Sequence, residues 1–162
     1  MPIYLDRHDL SGLSAMDVAE AHRRDLEVQD EYGVKFLTYW FDHARGTGFC
    51  LIDAPDAETA TRGHREAHGE LANSIIEVQL SAVEAFLGRV TDPLPPATAP
   101  HSTIDGAFRA VMFTDIVDST GMTARLGDVR ALEMIRAHDG ILRRALANHD
   151  GREVKHTGDG IM

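Results

Sequence analysis

The sequence contains little cysteine and few aromatic residues, and it has no long apolar segment. One cysteine in 162 residues, Cys50, excludes an internal disulfide framework. No apolar run approaches the roughly 20 residues that a transmembrane helix needs. The N-terminal residues, Met1 to Asp6, lack the basic start and apolar core of a secretory signal. We therefore expect a cytoplasmic protein with no membrane partner.

Positive charge is also scarce. The chain has 16 Lys and Arg against 26 Asp and Glu, which gives a net charge of -10 at pH 7. Binding to nucleic acid needs a basic surface, so we expect no nucleic-acid partner. With 43% hydrophobic and 26% charged residues, the composition is typical of a globular chain that forms one medium domain or two small ones.

Proline is rare except in one segment. Four of the six prolines lie between Thr91 and Pro100. Proline fixes φ and removes a backbone donor, so this composition predicts a stiff, extended linker. We expect a first domain at residues 1–90, a Pro-rich linker at 91–106 and a second domain at 107–162.

Hydrophobic periodicity and turn residues predict the order β-α-β-β-α-β in the first domain. The predicted strands are 3–8, 34–41, 49–52 and 75–78, the predicted helices are 14–32 and 55–71, and a short helix follows at 81–87. This order predicts an α+β fold, a ferredoxin-like βαββαβ sandwich.

Histidines are concentrated near the N-terminus, with five of the nine in the first 70 residues. His64 and His68 are four apart on one predicted helix, and His22 and Asp25 are three apart on the other. His8 closes the first strand. In this sandwich both helices lie on one side of the sheet, so these side chains could converge. Imidazole and carboxylate suit Ni, Zn or Cu better than Mg or Ca; the alternative is that the histidines are only solvated.

The same region resembles a small bacterial ferredoxin-like family of unknown function, one branch of which is described as nickel-binding. The resemblance covers about residues 1–79 and rests on the segments Tyr4-Leu-Asp-Arg-His8, Ala21-His-Arg-Arg-Asp-Leu26, Thr38-Tyr-Trp-Phe-Asp42, Phe49-Cys-Leu-Ile-Asp-Ala-Pro55 and His64-Arg-Glu-Ala-His-Gly69. It implies a nickel or other transition-metal site. Cys50 alternates with apolar neighbours in a predicted strand, which favours a core position over a ligand role.

Two acidic motifs mark the second domain. Strands are predicted at 110–114 and 153–157, with helices at 120–126 and 129–148 between them. Asp115 follows the first strand and precedes a helix, whose start offers free N–H groups to phosphate. Asp159 follows the second strand, between two glycines. Adjacent strands would bring the two carboxylates together, where they could bind two metal ions about 4 Å apart, as in phosphoryl transfer.

These motifs, Phe113-Thr-Asp-Ile-Val-Asp-Ser-Thr120 and Val154-Lys-His-Thr-Gly-Asp-Gly-Ile-Met162, closely resemble the class III adenylate/guanylate cyclase catalytic domain. The resemblance covers about residues 107–162 and implies an incomplete, ferredoxin-like cyclase domain of order β-α-α-β. It implies that Asp115 and Asp159 bind two Mg or Mn ions, with the Ile116 carbonyl on one of them. It further implies that a turn holds the triphosphate and that Lys155 reads adenine, which favours ATP. The turn comprises Val117, Asp118, Ser119 and Thr120.

The implied activity is signal transduction by cyclisation of ATP to cyclic AMP with release of pyrophosphate. The family's later half, with its asparagine and arginine, is not in the sequence, and family sites form between two chains. We therefore expect no activity from this chain alone, and a homodimer or a complementing cyclase chain as partner. Whether the chain is an enzyme stays open. The alternative is a protein that binds nickel or another transition metal, with a cyclase remnant that only dimerises or binds nucleotide.

Overall fold

A computed structural model describes residues 1–69, 72–93 and 105–162. The chain divides into two compact units, Met1–Arg109 and Ala110–Met162. Most of the predicted linker at 91–106 lies outside the described residues, so the linker and the domain limits at 90 and 107 stay predictions. Among the helices that the structure describes, none combines the length and the apolar character that a membrane crossing requires.

The first unit is a four-stranded antiparallel sheet with three helices among its described residues. Its elements are β1 (Ile3–Asp9), α1 (Ala15–Tyr32), β2 (Lys35–Asp42), β3 (Thr47–Asp53), α2 (Ala57–His68), β4 (Ser74–Val78) and α3 (Leu80–Leu87). The strand order is β2-β3-β1-β4, and all neighbouring strands are antiparallel. This topology is the α+β, ferredoxin-like βαββαβ arrangement, so the predicted fold class and order of elements are confirmed.

Local capping residues determine where the two long helices begin and end. The Ser14 hydroxyl accepts from the Asp17 N–H at 3.2 Å, and the Asp17 carboxylate accepts from the Ser14 N–H at 2.8 Å. This reciprocal capping box starts α1, and Gly33 ends it in the left-handed conformation at φ 64°. The Asp56 carboxylate starts α2 by accepting from the Thr59 N–H at 2.7 Å. The caps thus fix both ends of α1 and the start of α2.

Two apolar clusters lie on the side of the sheet that α1 and α2 cover, and buried polar residues lie on the same side. One cluster includes Tyr4, Val34, Phe36 and Ile52, and the other includes Leu10, Val18, Tyr39 and Phe41. Alternation along β1 places Asp6 and His8 on the same face as Tyr4 and Leu10. Trp40, Leu51 and Val83 form a third cluster. The buried polar residues therefore interrupt the core beneath the two helices.

The second unit contains α4 (Ser119–Leu126) and α5 (Asp128–Asn148), as predicted. It does not contain the strands predicted at 110–114 and 153–157, and its order is therefore not the β-α-α-β of the predicted cyclase domain. A strand needs a repeated ladder of backbone hydrogen bonds with a neighbour. Within Ala110–Met162, Thr114 donates its N–H to the Ile161 carbonyl at 3.0 Å, and Lys155 and Met162 exchange bonds at 2.9 and 3.1 Å. These bonds make a short turn, not a sheet.

Candidate metal centre

Strand β1 supplies two of the buried polar side chains beneath α1 and α2. Asp6 and His8 are two residues apart, so they project from the same face, and they are only 1% and 4% exposed. The register of β1 against β3 pairs Asp6 with Cys50. The Cys50 N–H donates to the Asp6 Oδ1 atom at 3.0 Å, which orients the carboxylate. Two adjacent strands therefore contribute three side chains to one place.

Helix α2 adds His64, which is 1% exposed. Its Nε2 atom lies 2.9 Å from the Asp6 Oδ2 atom, and the His8 Nε2 atom lies 3.1 Å from the Asp6 Oδ1 atom. The two imidazole rings meet edge to face at 4.9 Å. One donor atom from each of Asp6, His8, Cys50 and His64 lies within 4.8 Å of all the others. We name these four residues the inner group.

The other nitrogen of His64 faces a second group, formed by residues of α1 and α2. The His64 Nδ1 atom lies 3.0 Å from the Asp25 Oδ1 atom and 3.2 Å from the His68 Nε2 atom. The His68 Nε2 atom lies 3.2 Å from the same Asp25 oxygen. Asp25, His64 and His68 form the second set of possible metal ligands, which we name the helix group. His64 belongs to both groups.

The metal-free groups form a buried network of ion pairs. Burial alone would raise the pKa of Asp6 and Asp25, but the imidazoles that face them lower it: His64 and His8 beside Asp6, and His64 and His68 beside Asp25. Burial would lower the pKa of His8, but Asp6 and Cys50 beside it raise the value to about 10. Burial acts likewise on His64, yet Asp25 and Asp6 hold its pKa well above the ordinary value. Two carboxylates are therefore balanced by two imidazolium ions.

The inner group fits a transition-metal ion better than it fits a set of hydrogen bonds. The Asp6 Oδ2, His8 Nε2 and His64 Nε2 atoms are buried and, within the described residues, have no hydrogen-bond partner of acceptable geometry, although they approach one another to about 3 Å. Unpaired buried polar atoms are costly. Imidazole nitrogen, thiol sulfur and carboxylate oxygen together suit Ni, Zn or Cu.

Both groups border a cavity of about 30 Å³, which has room for a water molecule. Its far wall is mostly apolar and includes Leu10, Leu13, Val18 and Tyr39. An ion in the inner group would therefore have space for a ligand that the protein does not supply.

Of the five predicted N-terminal ligands, the structure brings together His8, Asp25, His64 and His68 in the two groups. His22 lines the same cavity but belongs to neither group, and its Nε2 atom lies 3.0 Å from the Asp92 Oδ1 atom. Its ring packs on Tyr39, with ring centroids 4.6 Å apart.

Sequence reasoning missed Asp6 and assigned Cys50 to the core. Asp6 was detectable, because it lies two residues before His8 on the same face of a predicted strand. Cys50 does pack against both apolar clusters, as a core residue would. Its place in the inner group depends on the register with β1, for which the sequence carries no local signal.

In the second unit the structure brings Asp115 and Asp159 together. The Ser119 hydroxyl and the Asp115 carboxyl group lie near the Asp159 carboxylate, and they lower the pKa of Asp159. Asp118 begins α4 by accepting from the Gly121 N–H at 3.1 Å. The other predicted nucleotide-binding residues are the half-buried Ile116 and the exposed Val117, Thr120 and Lys155.

Backbone contacts of neighbouring residues hold these two carboxylates side by side. Besides donating its N–H to the Ile161 carbonyl, Thr114 accepts from the Ile161 N–H through its hydroxyl at 2.9 Å. Gly160 lies so close to the Thr114 backbone that a Cβ atom added to it would be 2.1 Å from the Thr114 carbonyl oxygen. Only glycine permits this approach of two backbone segments.

The first unit is thus a ferredoxin-like α+β domain with a buried cluster of His, Asp and Cys side chains. Residues 4–78 match the family model described as nickel responsive protein SCO4226-like. The crystal structure of SCO4226 from Streptomyces coelicolor A3(2) is 37% identical, over 48% of this chain and 96% of that chain, with a TM-score of 0.46. The chain therefore belongs to the SCO4226-like family through this region.

A second solved structure, of a bacterial light-regulated adenylyl cyclase, matches with 11% identity over 100% of this chain and 59% of that chain, and its TM-score is 0.34. A likeness at this level supports no inference, so the cyclase resemblance stays a prediction. No curated protein matches the chain.

Proposed function

We propose that this protein binds a transition-metal ion in the inner group, with nickel as the first ion to test. The observation that carries the proposal is the convergence of four donor atoms, from Asp6, His8, Cys50 and His64, within 4.8 Å of one another. The family description, a nickel responsive protein, supports nickel ahead of zinc or copper.

Charge balance supports a divalent ion. In the metal-free network the raised pKa values keep His8 and His64 protonated, opposite the ionised Asp6 and Asp25. Metal binding requires neutral imidazole, so an ion displaces those protons. One divalent cation takes the place of two imidazolium protons, so no carboxylate is left without a counter-charge. The Cys50 thiol loses its proton to solvent when it coordinates, which adds one negative charge beside the ion.

Each residue has a distinct part in selecting the ion. His8 and His64 supply imidazole nitrogen, and Cys50 supplies a soft sulfur ligand that hard ions such as Mg²⁺ do not favour. The Cys50 N–H orients the Asp6 carboxylate at 3.0 Å. A bound ion would link β1, β3 and α2, so that metal availability stabilises the first unit. That linkage suits a protein that senses or sequesters the metal.

Calorimetric titration of the metal-free full chain with Ni²⁺, Zn²⁺ and Mg²⁺ tests the proposal. We expect Ni²⁺ and Zn²⁺ to bind in the inner group, and we expect any Mg²⁺ binding by the second unit to be the same with and without Cys50. Cys50→Ser, the smallest change available, should weaken Ni²⁺ binding by at least about tenfold and abolish the sulfur-to-cobalt charge-transfer band of the Co²⁺ form. His149→Gln, which alters an exposed histidine, is the matched control and should bind as the native chain does. A folded chain that binds no Ni²⁺, or binds it equally well without Cys50, contradicts the proposal.

A second function, nucleotide cyclisation, is supported by the contact between Asp115 and Asp159. Two adjacent carboxylates suit two Mg²⁺ or Mn²⁺ ions, which would assist attack of the ribose 3′-oxygen of ATP on the α-phosphorus and the release of pyrophosphate. By the class III resemblance, a complementing cyclase chain would supply the family's asparagine and arginine.

The test of this second function is cyclic AMP formation from ATP and Mn²⁺, by the chain alone and mixed with a cyclase chain that carries an intact second half. We expect product only in the mixture and none with Asp115→Ala. If the folded chain forms no product in either tube, cyclisation is rejected and metal binding is unaffected.

A further inference from the structure

We infer that His64 bridges two metal ions, one in the inner group and a second in the helix group. The inference rests on the proposed metal binding and extends it from one ion to a dinuclear centre. His64 is the residue that the two groups share. Its Nε2 atom faces the Asp6 carboxylate at 2.9 Å, and its Nδ1 atom faces the Asp25 carboxylate at 3.0 Å.

The helix group has the dimensions of a metal-binding triad. Its three donor atoms, on Asp25, His64 and His68, are separated by 3.0, 3.2 and 3.2 Å. Ligands that lie about 2.0–2.1 Å from a zinc-like ion are about 2.9 Å apart at adjacent octahedral positions and about 3.4 Å apart in a tetrahedron. The measured separations fall between these two values, so one ion could contact all three atoms.

The surroundings of the two His64 nitrogens are similar. Each nitrogen faces one buried carboxylate and lies beside one further imidazole, His8 on one side and His68 on the other. Asp25 is only 1% exposed, as is Asp6. The competing interpretation is that Asp25 only orients His64, as a carboxylate often does behind a histidine ligand. That role needs only the contact between Asp25 and His64. A hydrogen bond from His68 to Asp25 explains one approach of the His68 Nε2 atom, but it does not require the 3.2 Å approach to the His64 Nδ1 atom.

The bridge has a simple proton balance. Each metal–nitrogen bond uses one lone pair of the ring, so the second ion displaces the last N–H proton of His64, which passes to solvent. The product is a bridging imidazolate, and nothing is oxidised or reduced. With both ions bound, the charges of the two divalent ions are offset by the Asp6 and Asp25 carboxylates, the Cys50 thiolate and the imidazolate.

The experiment uses the full chain loaded with Cu²⁺ and then dialysed to remove excess metal. The ratio of total copper to protein and the intensity of the electron spin resonance signal are measured on the same sample. We expect two copper ions per chain and an intensity well below the total copper, because imidazolate couples the two spins. The full intensity should return when acid unfolds the chain under nitrogen and separates the ions, whereas copper reduced by the Cys50 thiol would stay silent. His68→Asn should bind one copper ion with full intensity. Asp25→Asn provides a second variant, His149→Asn is the control, and Trp40 fluorescence verifies folding.

Each outcome separates this inference from the proposed function. One copper per native chain, unaltered by His68→Asn, overturns the dinuclear centre and leaves a single metal site. Two ions with full intensity overturn the bridge. A folded chain that retains no copper overturns the proposed metal binding itself.

Discussion

Replacing Asp6 by asparagine is the sharpest test of the buried charge network. The carboxylate is 1% exposed and contacts His8 and His64 at 3.1 and 2.9 Å. The substitution keeps the side-chain shape but removes the charge that both imidazolium ions face. We expect the metal-free first unit to lose much of its stability.

The magnitude follows from the burial of all partners. Breaking a buried ion pair by removing one member costs about 3–5 kcal/mol. That is a large part of the roughly 5–15 kcal/mol by which a domain is stable. At about 4 °C or more per kcal/mol, the Tm of the unit should fall by roughly 12 °C or more.

The pH dependence gives the prediction a second signature. The pKa of His8 is raised to about 10, so its contribution to stability is complete below 6.5 and is lost as the pH rises through 10. The pKa of Asp6 is lowered, so its contribution is present above 3.8 and is lost as the pH falls through the value in the folded protein. The native chain and Asp6→Asn should differ most between pH 3.8 and 6.5, and the difference should shrink towards pH 10.

Urea unfolding in the presence of a chelator, followed by tryptophan fluorescence, measures the difference. Trp40 is the single tryptophan and is fully buried in the first unit, so its emission reports on that unit. Asp9→Asn is the matched control, because Asp9 lies on the same strand but is exposed. If Asp6→Asn were as stable as Asp9→Asn between pH 3.8 and 6.5, the ion-pair reasoning would be refuted.

Three further predictions follow from the structure. The affinity for Ni²⁺ should rise with pH up to about 10, because the ion competes with the proton on His8; calorimetry in a pH series that showed falling affinity would contradict this. Gly160→Ala should abolish Mn²⁺ binding by the second unit, measured by spin resonance, because its Cβ atom would lie 2.1 Å from the Thr114 carbonyl oxygen. Ser14→Ala should lower the free energy of unfolding by about 1 kcal/mol in a urea titration, because it removes the α1 cap.

Much of the first unit was predictable because its signals are local. Ser14 and Gly33 mark the ends of α1 as expected, and alternating apolar residues marked the strands. The four-residue spacing of His64 and His68 sufficed to place both on one face of α2. These signals depend only on residues that are neighbours in the sequence, so the helices and strands can be predicted without knowledge of the rest of the fold.

The second unit departs from its predicted strands because a strand depends on its partner. Residues 110–114 have the apolar character of a strand, yet a ladder forms only where another segment offers a row of donors and acceptors. Within the described residues of Ala110–Met162, the backbone of residues 110–114 bonds to the C-terminal segment only around Thr114 and Ile161. Those few bonds still bring Asp115 next to Asp159, the arrangement that the motifs predicted.

The sequence by itself determined the elements of the first unit and indicated four members of the inner and helix groups, because helical and strand periodicities are local properties. Only the tertiary structure decided that Asp6 and Cys50 complete the inner group and that His22 pairs instead with Asp92. The reason is that strand register and helix packing are set by contacts between distant residues. A shift of β1 by one residue in its pairing would turn the Asp6 and His8 side chains away from α2, so the inner group would not form.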